Sequence, residues 1–185
     1  LVVIFWWGFK DWIAMQVPPD HAMEVRVTAR QWSWQFDYPK DGITTDRLVV
    51  PANRPVRLIM SSSDVLHSFF IPEFRVKKDV LPNRYTELWF ESPEPGIYNV
   101  WCAEYCGKDH SRMITRAEVK TPEEYQKWID SGGGLDWENT PMSEIGKIFF
   151  KRFGCTQCHS DDGSGNTGPT MLGLFGKKEE LATGE

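Results

Sequence analysis

With 185 residues, the chain can form one ordinary domain and a small second one. Its 41% hydrophobic and 14% aromatic content supports a packed core and excludes a disordered chain. A net charge of −5, from 21 basic and 26 acidic residues with no long basic run, argues against nucleic acid as a partner.

Residues 1–9 (Leu-Val-Val-Ile-Phe-Trp-Trp-Gly-Phe) are apolar, and Lys10 and Asp11 then interrupt the run. As a helix such a run rises only about 14 Å, against roughly 30 Å for a bilayer core. With Leu1 rather than Met at the start, residues 1–17 read as the end of a truncated transmembrane helix. Trp6, Trp7 and Trp12 would then form an interfacial aromatic belt. The alternative is a helix packed on the soluble part or lying in the interface plane. Val17-Pro18-Pro19-Asp20 ends it.

From residue 22 to about 119 the periodicity is that of strands. Met23, Val25 and Val27 alternate with polar residues, as do Val56, Leu58 and Met60. Trp32, Trp34, Phe36 and Tyr38 alternate with Ser33, Gln35 and Asp37, which places four aromatics on one face of one strand. Residues 85–90, 97–101 and 114–119 complete the pattern, punctuated by prolines and glycines. Short strands with frequent turns predict a mainly β sandwich or barrel over residues 18–131. Thr121-Pro122-Glu123-Glu124 predicts a helix start with a capping box. Residues 132–140 begin with Gly132-Gly133-Gly134 and read as a flexible linker. Thr140-Pro141 opens a second helix, with Met142, Ile145, Ile148, Phe149 and Phe153 on one stripe.

The chemistry concentrates in residues 102–113, where two cysteines, a histidine and a methionine occur within twelve positions. Cys102, Cys106, His110 and Met113 are soft or borderline ligands, the set that selects copper over calcium or magnesium. Together they could bind one copper ion. A second histidine would instead allow two coppers bridged by two thiolates, with one imidazole on each. His67, in the polar turn Asp64-Val65-Leu66-His67-Ser68-Phe69, is the candidate. The plainer readings of the four cysteines are two short-loop disulfides or one four-cysteine zinc site.

Three stretches, in this order, carry a resemblance: the aromatic stretch of residues 31–39, Asp64 to Phe69, and Cys102 to Met113. The chain resembles subunit II of the haem–copper cytochrome c oxidases over about residues 1–130. The resemblance implies a cupredoxin-like Greek-key barrel holding the dinuclear copper A centre. It implies that Cys102 and Cys106 bridge two coppers, that His67 and His110 each bind one, and that Met113 is a weak axial ligand. The backbone carbonyl of Glu104 would serve the other copper. The Glu104 carboxylate would reach a magnesium or manganese ion shared with subunit I, a site this chain cannot complete alone. Trp32 matches the family's point of electron entry, while as one of four alternating aromatics it would be core. Asp64 either orients neighbouring ligands or caps a turn.

Cys155-Thr156-Gln157-Cys158-His159 matches the attachment motif of c-type haem, with two thioether cysteines and a histidine for the iron. Residues 168–176 resemble the segment after that motif in class I cytochromes c, so residues 141–185 read as an incomplete all-α cytochrome c domain. Met171 follows His159 too closely to be the family's second axial ligand. It is read as haem-pocket packing, with the true ligand beyond Glu185.

The whole resembles an oxidase subunit II with a fused cytochrome c. Electrons would pass from a cytochrome c or a quinol-oxidising complex through haem c and copper A to subunit I, where oxygen is reduced and protons are pumped. The soluble parts would face outward from a bacterial cytoplasmic membrane. The competing readings are the copper A subunit of a nitric oxide or nitrous oxide reductase, a copper-binding module without a redox partner, and a disulfide-stapled structural domain.

Overall fold

The computed structural model describes residues 1–135, 139–165 and 167–177. Ten strands dominate: β1 Met23–Arg30, β2 Ser33–Tyr38, β3 Ile43–Thr45, β4 Leu48–Pro51, β5 Val56–Ser62, β6 His67–Ile71, β7 Val76–Val80, β8 Thr86–Phe90, β9 Gly96–Cys102 and β10 Ile114–Lys120. They form two five-stranded sheets, ordered β3-β2-β1-β5-β8 and β4-β10-β9-β6-β7. The pairs β1 with β5 and β4 with β10 are parallel; the others are antiparallel.

The alternation read in the sequence faces one sheet towards the other. Val25, Val27 and Ala29 of β1, Trp34, Phe36 and Tyr38 of β2, and Val56, Leu58 and Met60 of β5 are all buried. Phe69, Ile71, Val100, Ala117 and Val119 cover them from the second sheet. Each large side chain buried this way contributes about 1.5–3 kcal/mol. The Tyr38 hydroxyl closes the layer, accepting from the Val49 N–H at 2.6 Å and donating to the Val49 carbonyl at 2.9 Å.

Trp32 departs from the expected strand face. It precedes β2, is half-buried, and packs against the edge of the core; only Trp34, Phe36 and Tyr38 share the buried face. The physical reason is that the β1–β2 connection consumes residues 31 and 32, so Trp32 leaves the pleat and turns towards the loop after β9.

Three helices flank the sandwich. α1, Val2–Gln16, has no buried residue and would rise about 22 Å. Among the described residues, no helix is long and apolar enough to cross a membrane. α2, Pro122–Asp130, begins with the expected capping box, Thr121 with Glu124, and buries Tyr125 and Trp128. Residues 136–138 of the expected linker lie outside the described residues, whereas Leu135 is buried. α3, Met142–Arg152, follows Pro141 without a side-chain cap, and buries Ile145 and Arg152.

Candidate metal centre

The ligand-bearing residues converge from two strands and one loop. β6 begins at His67, β9 ends at Cys102, and the loop between β9 and β10 carries Cys106, His110 and Met113. Strand pairing sets the first two side by side: Phe69 pairs with Cys102, and the Ala103 N–H donates to the Ser68 carbonyl at 2.9 Å. The loop then folds back through a 3-10 turn, His110–Arg112.

His67 and Met113 are fully buried, and Cys102 and Cys106 nearly so. The two Sγ atoms are 3.8 Å apart, far beyond a disulfide bond, and all four cysteines are free thiols. Cys102 Sγ lies 3.9 Å from His67 Nδ1, and Cys106 Sγ lies 3.5 Å from His110 Nδ1. Met113 Sδ is 3.8 Å from Cys106 Sγ, and the Glu104 carbonyl is 3.2 Å from Cys102 Sγ. Metal–thiolate and metal–imidazole bonds are about 2.3 and 2.0–2.1 Å, so two donors sharing one ion lie up to about 4.3–4.6 Å apart. Every spacing above fits.

The imidazoles divide between the thiols. His67, Cys102 and Cys106 have donor atoms all within 4.8 Å of one another, and His110 is not in that group.

The charge state of the pair is shaped by burial, which raises both thiols. At Cys102 this is outweighed by the hydrogen bond with His67 and by backbone bonds, and its thiol is lowered. At Cys106 the neighbouring Cys102 charge adds to burial and holds the proton on.

Asp64 supports His67. Its Oδ1 accepts from His67 Nε2 at 2.8 Å and from the Val65 N–H at 2.6 Å, while Oδ2 accepts from the Gln31 N–H at 2.6 Å. Partial burial would raise the Asp64 carboxyl, but these bonds hold it below the usual carboxylate range. Asp64 thus both fixes the His67 ring and caps its turn. Trp34 packs edge-on to His67, with ring centroids 6.2 Å apart.

Trp32 and Gln31 grip the other side of the loop. Trp32 Nε1 donates to the Cys106 carbonyl at 3.3 Å and Gln31 Nε2 donates to it at 2.8 Å. Gly107 makes this approach feasible: its φ is +117°, and a Cβ there would stand 2.9 Å from Gln31 Nε2. The contact that Gln31 makes had no signal in the sequence beyond its place beside Trp32.

In the haem-type motif, Cys155–Gln157 form a 3-10 turn, and Cys155, Cys158 and His159 are half-buried. His159 Nδ1 lies 2.8 Å from the Pro169 carbonyl. Donation there fixes the tautomer and leaves Nε2 as the nitrogen available to an iron. Met171 lines a cavity of ≈ 590 Å³ together with Gly146, Phe150 and Phe175. Cys155, Cys158 and His159 are not among the residues lining it.

Residues 42–119 match the family model for cytochrome c oxidase subunit II, periplasmic domain. Cytochrome c oxidase subunit 2 of Alkalihalophilus pseudofirmus is 32% identical over 165 residues, covering 88% of this chain and 48% of that protein. The Synechocystis sp. protein of the same name is 41% identical over 119 residues, covering 64% of this chain and 36% of its own length. The chain therefore spans about half or less of these relatives. The crystal structure of the periplasmic domain of subunit II of cytochrome oxidase from Bradyrhizobium japonicum superposes with a TM-score of 0.60 at 29% identity, covering 64% of this chain and 98% of that one. A mixed-disulfide intermediate between a thioredoxin-like protein, TlpA, and a subunit II of cytochrome c oxidase gives 0.57 at 28% identity, covering 63% and 94%. The mainly β, cupredoxin-like architecture is the one these structures share.

Proposed function

Because residues 42–119 match the family model for the cytochrome c oxidase subunit II periplasmic domain, we propose that this chain is the electron-transfer part of a membrane terminal oxidase. The observation that carries this reading is the division of His67 and His110 between two thiols 3.8 Å apart. Cys102 and Cys106 would bridge two coppers, with His67 on one and His110 on the other. Met113 would be a weak ligand on the Cys106 side, and the Glu104 carbonyl would serve the Cys102 side. Two copper ions held this way would supply a one-electron centre whose charge is shared over both metals.

The chain's own residues keep that centre rigid. Cys102 and His67 are rooted in paired strands, and Asp64 holds the far nitrogen of His67. Gln31 and Trp32 hold the loop through one carbonyl. A site that moves little when its charge changes loses little energy to rearrangement. Trp32 is the proposed electron entry, supported by its direct bond to a ligand's carbonyl. The Glu104 carboxylate is proposed to meet a magnesium ion at the contact with subunit I.

Cys155 and Cys158 are proposed to attach haem c, with His159 as an iron ligand. Support comes from their free thiols, the Nδ1 contact of His159, and the 88% alignment, which must include this segment wherever it begins. The haem would supply one electron at a time. α1 is proposed as the end of a membrane anchor; Phe5, Trp6, Trp7 and Trp12 are all exposed on it. In this reading the domain would lie on the outer face of a bacterial membrane, taking electrons from a cytochrome c or a quinol-oxidising complex and passing them to subunit I. A thioredoxin-like reductant would keep Cys102 and Cys106 as thiols until metal arrives.

Copper content and electron paramagnetic resonance of the purified chain test the reading. Two coppers per chain sharing one unpaired electron equally are expected. A single-copper spectrum, or no copper after reduction and reconstitution, overturns it.

A further inference from the structure

The residues just before Cys155 are fastened to the β sandwich. The Arg30 guanidinium donates through Nη2 to the Phe153 carbonyl and through Nε to Ser33 Oγ, the latter at 3.2 Å. Gly154 has φ +72°, and a Cβ there would stand 2.8 Å from Ser33 Oγ, so the segment approaches Ser33 at the limit glycine allows. Arg152 is buried, its guanidinium 5.7 Å from the Phe149 ring centroid and within electrostatic reach of Asp46, on the β3–β4 connection. Three consecutive residues, 152 to 154, therefore rest on two turns of the sandwich.

The β1–β2 turn faces the metal centre with its other side. Residues 30 and 33 hold the haem-attachment segment, while residues 31 and 32 both donate to the Cys106 carbonyl. Between Cys155 and Cys106 the connection is covalent except for two non-bonded steps, Gly154 to Ser33 and Trp32 to Cys106.

We propose that Arg30 is a positioning residue: it latches the Cys155–Cys158 segment onto the β1–β2 turn, so that one electron passes from the attached haem iron to the two-copper centre across Ser33 and Trp32. The inference rests on the haem and copper reading above. The electron balance is simple: the ferrous iron is oxidised by one electron and the oxidised copper pair is reduced by one, with no proton or other reactant. A freely tethered donor would make no such demand on Arg30, because its encounter would be set by linker reach alone.

The test uses the assembled, copper- and haem-loaded oxidase carrying Arg30→Ala, with Gly154→Ala as a second variant that presses on the same contact from the other side. Haem and copper content are measured first, on the unaltered protein. If Cys155 and Cys158 carry no haem, the functional reading fails there, and this inference with it, before any variant is compared. With both groups bound, amide hydrogen exchange over residues 151–155 should rise at least tenfold in Arg30→Ala. After one-electron photoreduction of the haem, its reoxidation by the copper pair should slow at least tenfold, with an unchanged copper resonance spectrum. Gly154→Ala should slow it in the same direction. Unchanged exchange overturns the latch. Faster exchange with an unaltered transfer rate overturns the route and reduces Arg30 to a packing contact.

Discussion

Asp64 is the residue on which the rigidity of the centre can be measured. Its carboxylate accepts from the buried Nε2 of His67 at 2.8 Å and from the backbone N–H groups of Gln31 and Val65, each at 2.6 Å, with the Ser62 hydroxyl also on Oδ1 at 3.2 Å. Asp64→Ala removes both acceptor oxygens and so all of these bonds. Gln31 and Val65 are exposed and can turn to water, so their loss is small. His67 is fully buried and cannot, so its orphaned N–H costs about 1–3 kcal/mol. The same bond orients the ring that would hold copper, and losing such support typically lowers metal affinity about 10–100-fold, or about 1.4–2.8 kcal/mol. Asp64→Asn keeps an acceptor for His67 and should retain most of that affinity. Competition between the protein and a copper chelator, followed by the visible absorption of the loaded centre, gives the affinities. Urea unfolding of the metal-free chain gives the stability. An affinity for Asp64→Ala within twofold of the unaltered protein refutes the orienting role. Equal losses in the Ala and Asn variants refute hydrogen-bond acceptance as its cause.

Cys106→Ser should abolish the shared two-copper spectrum, because a hydroxyl is not soft enough to bridge two coppers; an unchanged spectrum in resonance and near-infrared absorption would disprove bridging. Met113→Leu nearly conserves volume in a fully buried position, so its stability cost should stay below about 1.5 kcal/mol. Both coppers should remain while the reduction potential shifts, since a weak axial ligand tunes more than it holds; loss of copper, measured by elemental analysis, would show a structural role instead. At alkaline pH, burial holds the Tyr38 and Tyr125 hydroxyls protonated, Tyr125 up to about 12. These groups are raised in the folded state, so their stabilisation is intact below the unfolded value of about 10 and is lost as pH rises above it. Ultraviolet tyrosinate absorption should therefore show Tyr38 and Tyr125 still un-ionised in the folded domain at the ordinary tyrosine value of about 10; their ionisation there without unfolding would contradict the burial argument.

Where one face of a strand is buried and the other wet, the alternation was legible, and β1, β2 and β5 follow it. β4 was not, because Leu48, Val49, Val50 and Pro51 are all buried and no alternation remains. β6 likewise buries four of its five residues. β7, with Lys77, Lys78 and Asp79, reads as a charged loop yet pairs as a sheet edge, where such residues discourage further strand addition. At the centre, the convergence of Cys102, Cys106, His110 and Met113 was legible in their type and spacing. The grip of Gln31 on Cys106, 75 positions away, could not be read, since it depends on how the β1–β2 turn is placed over the loop. Trp32 was misplaced onto the strand face for the same reason: periodicity counts residues evenly, and a turn does not.

That turn explains why the metal ligands can afford to sit on a loop. Cys106, His110 and Met113 belong to a connection of eleven residues between β9 and β10, a length at which an isolated loop would sample many arrangements. Here its backbone is tied at both ends by the sheet and in the middle by two donors to a single carbonyl. Gly107 lets those donors approach closely. If these residues bind copper as proposed, the loop's ties lower the entropy that metal binding must cover. The flanking residues of the same turn, Arg30 and Ser33, meet the segment just before Cys155. On the proposed function, ligand geometry and the approach of the donor would both depend on this one short turn, and a substitution there should move both together.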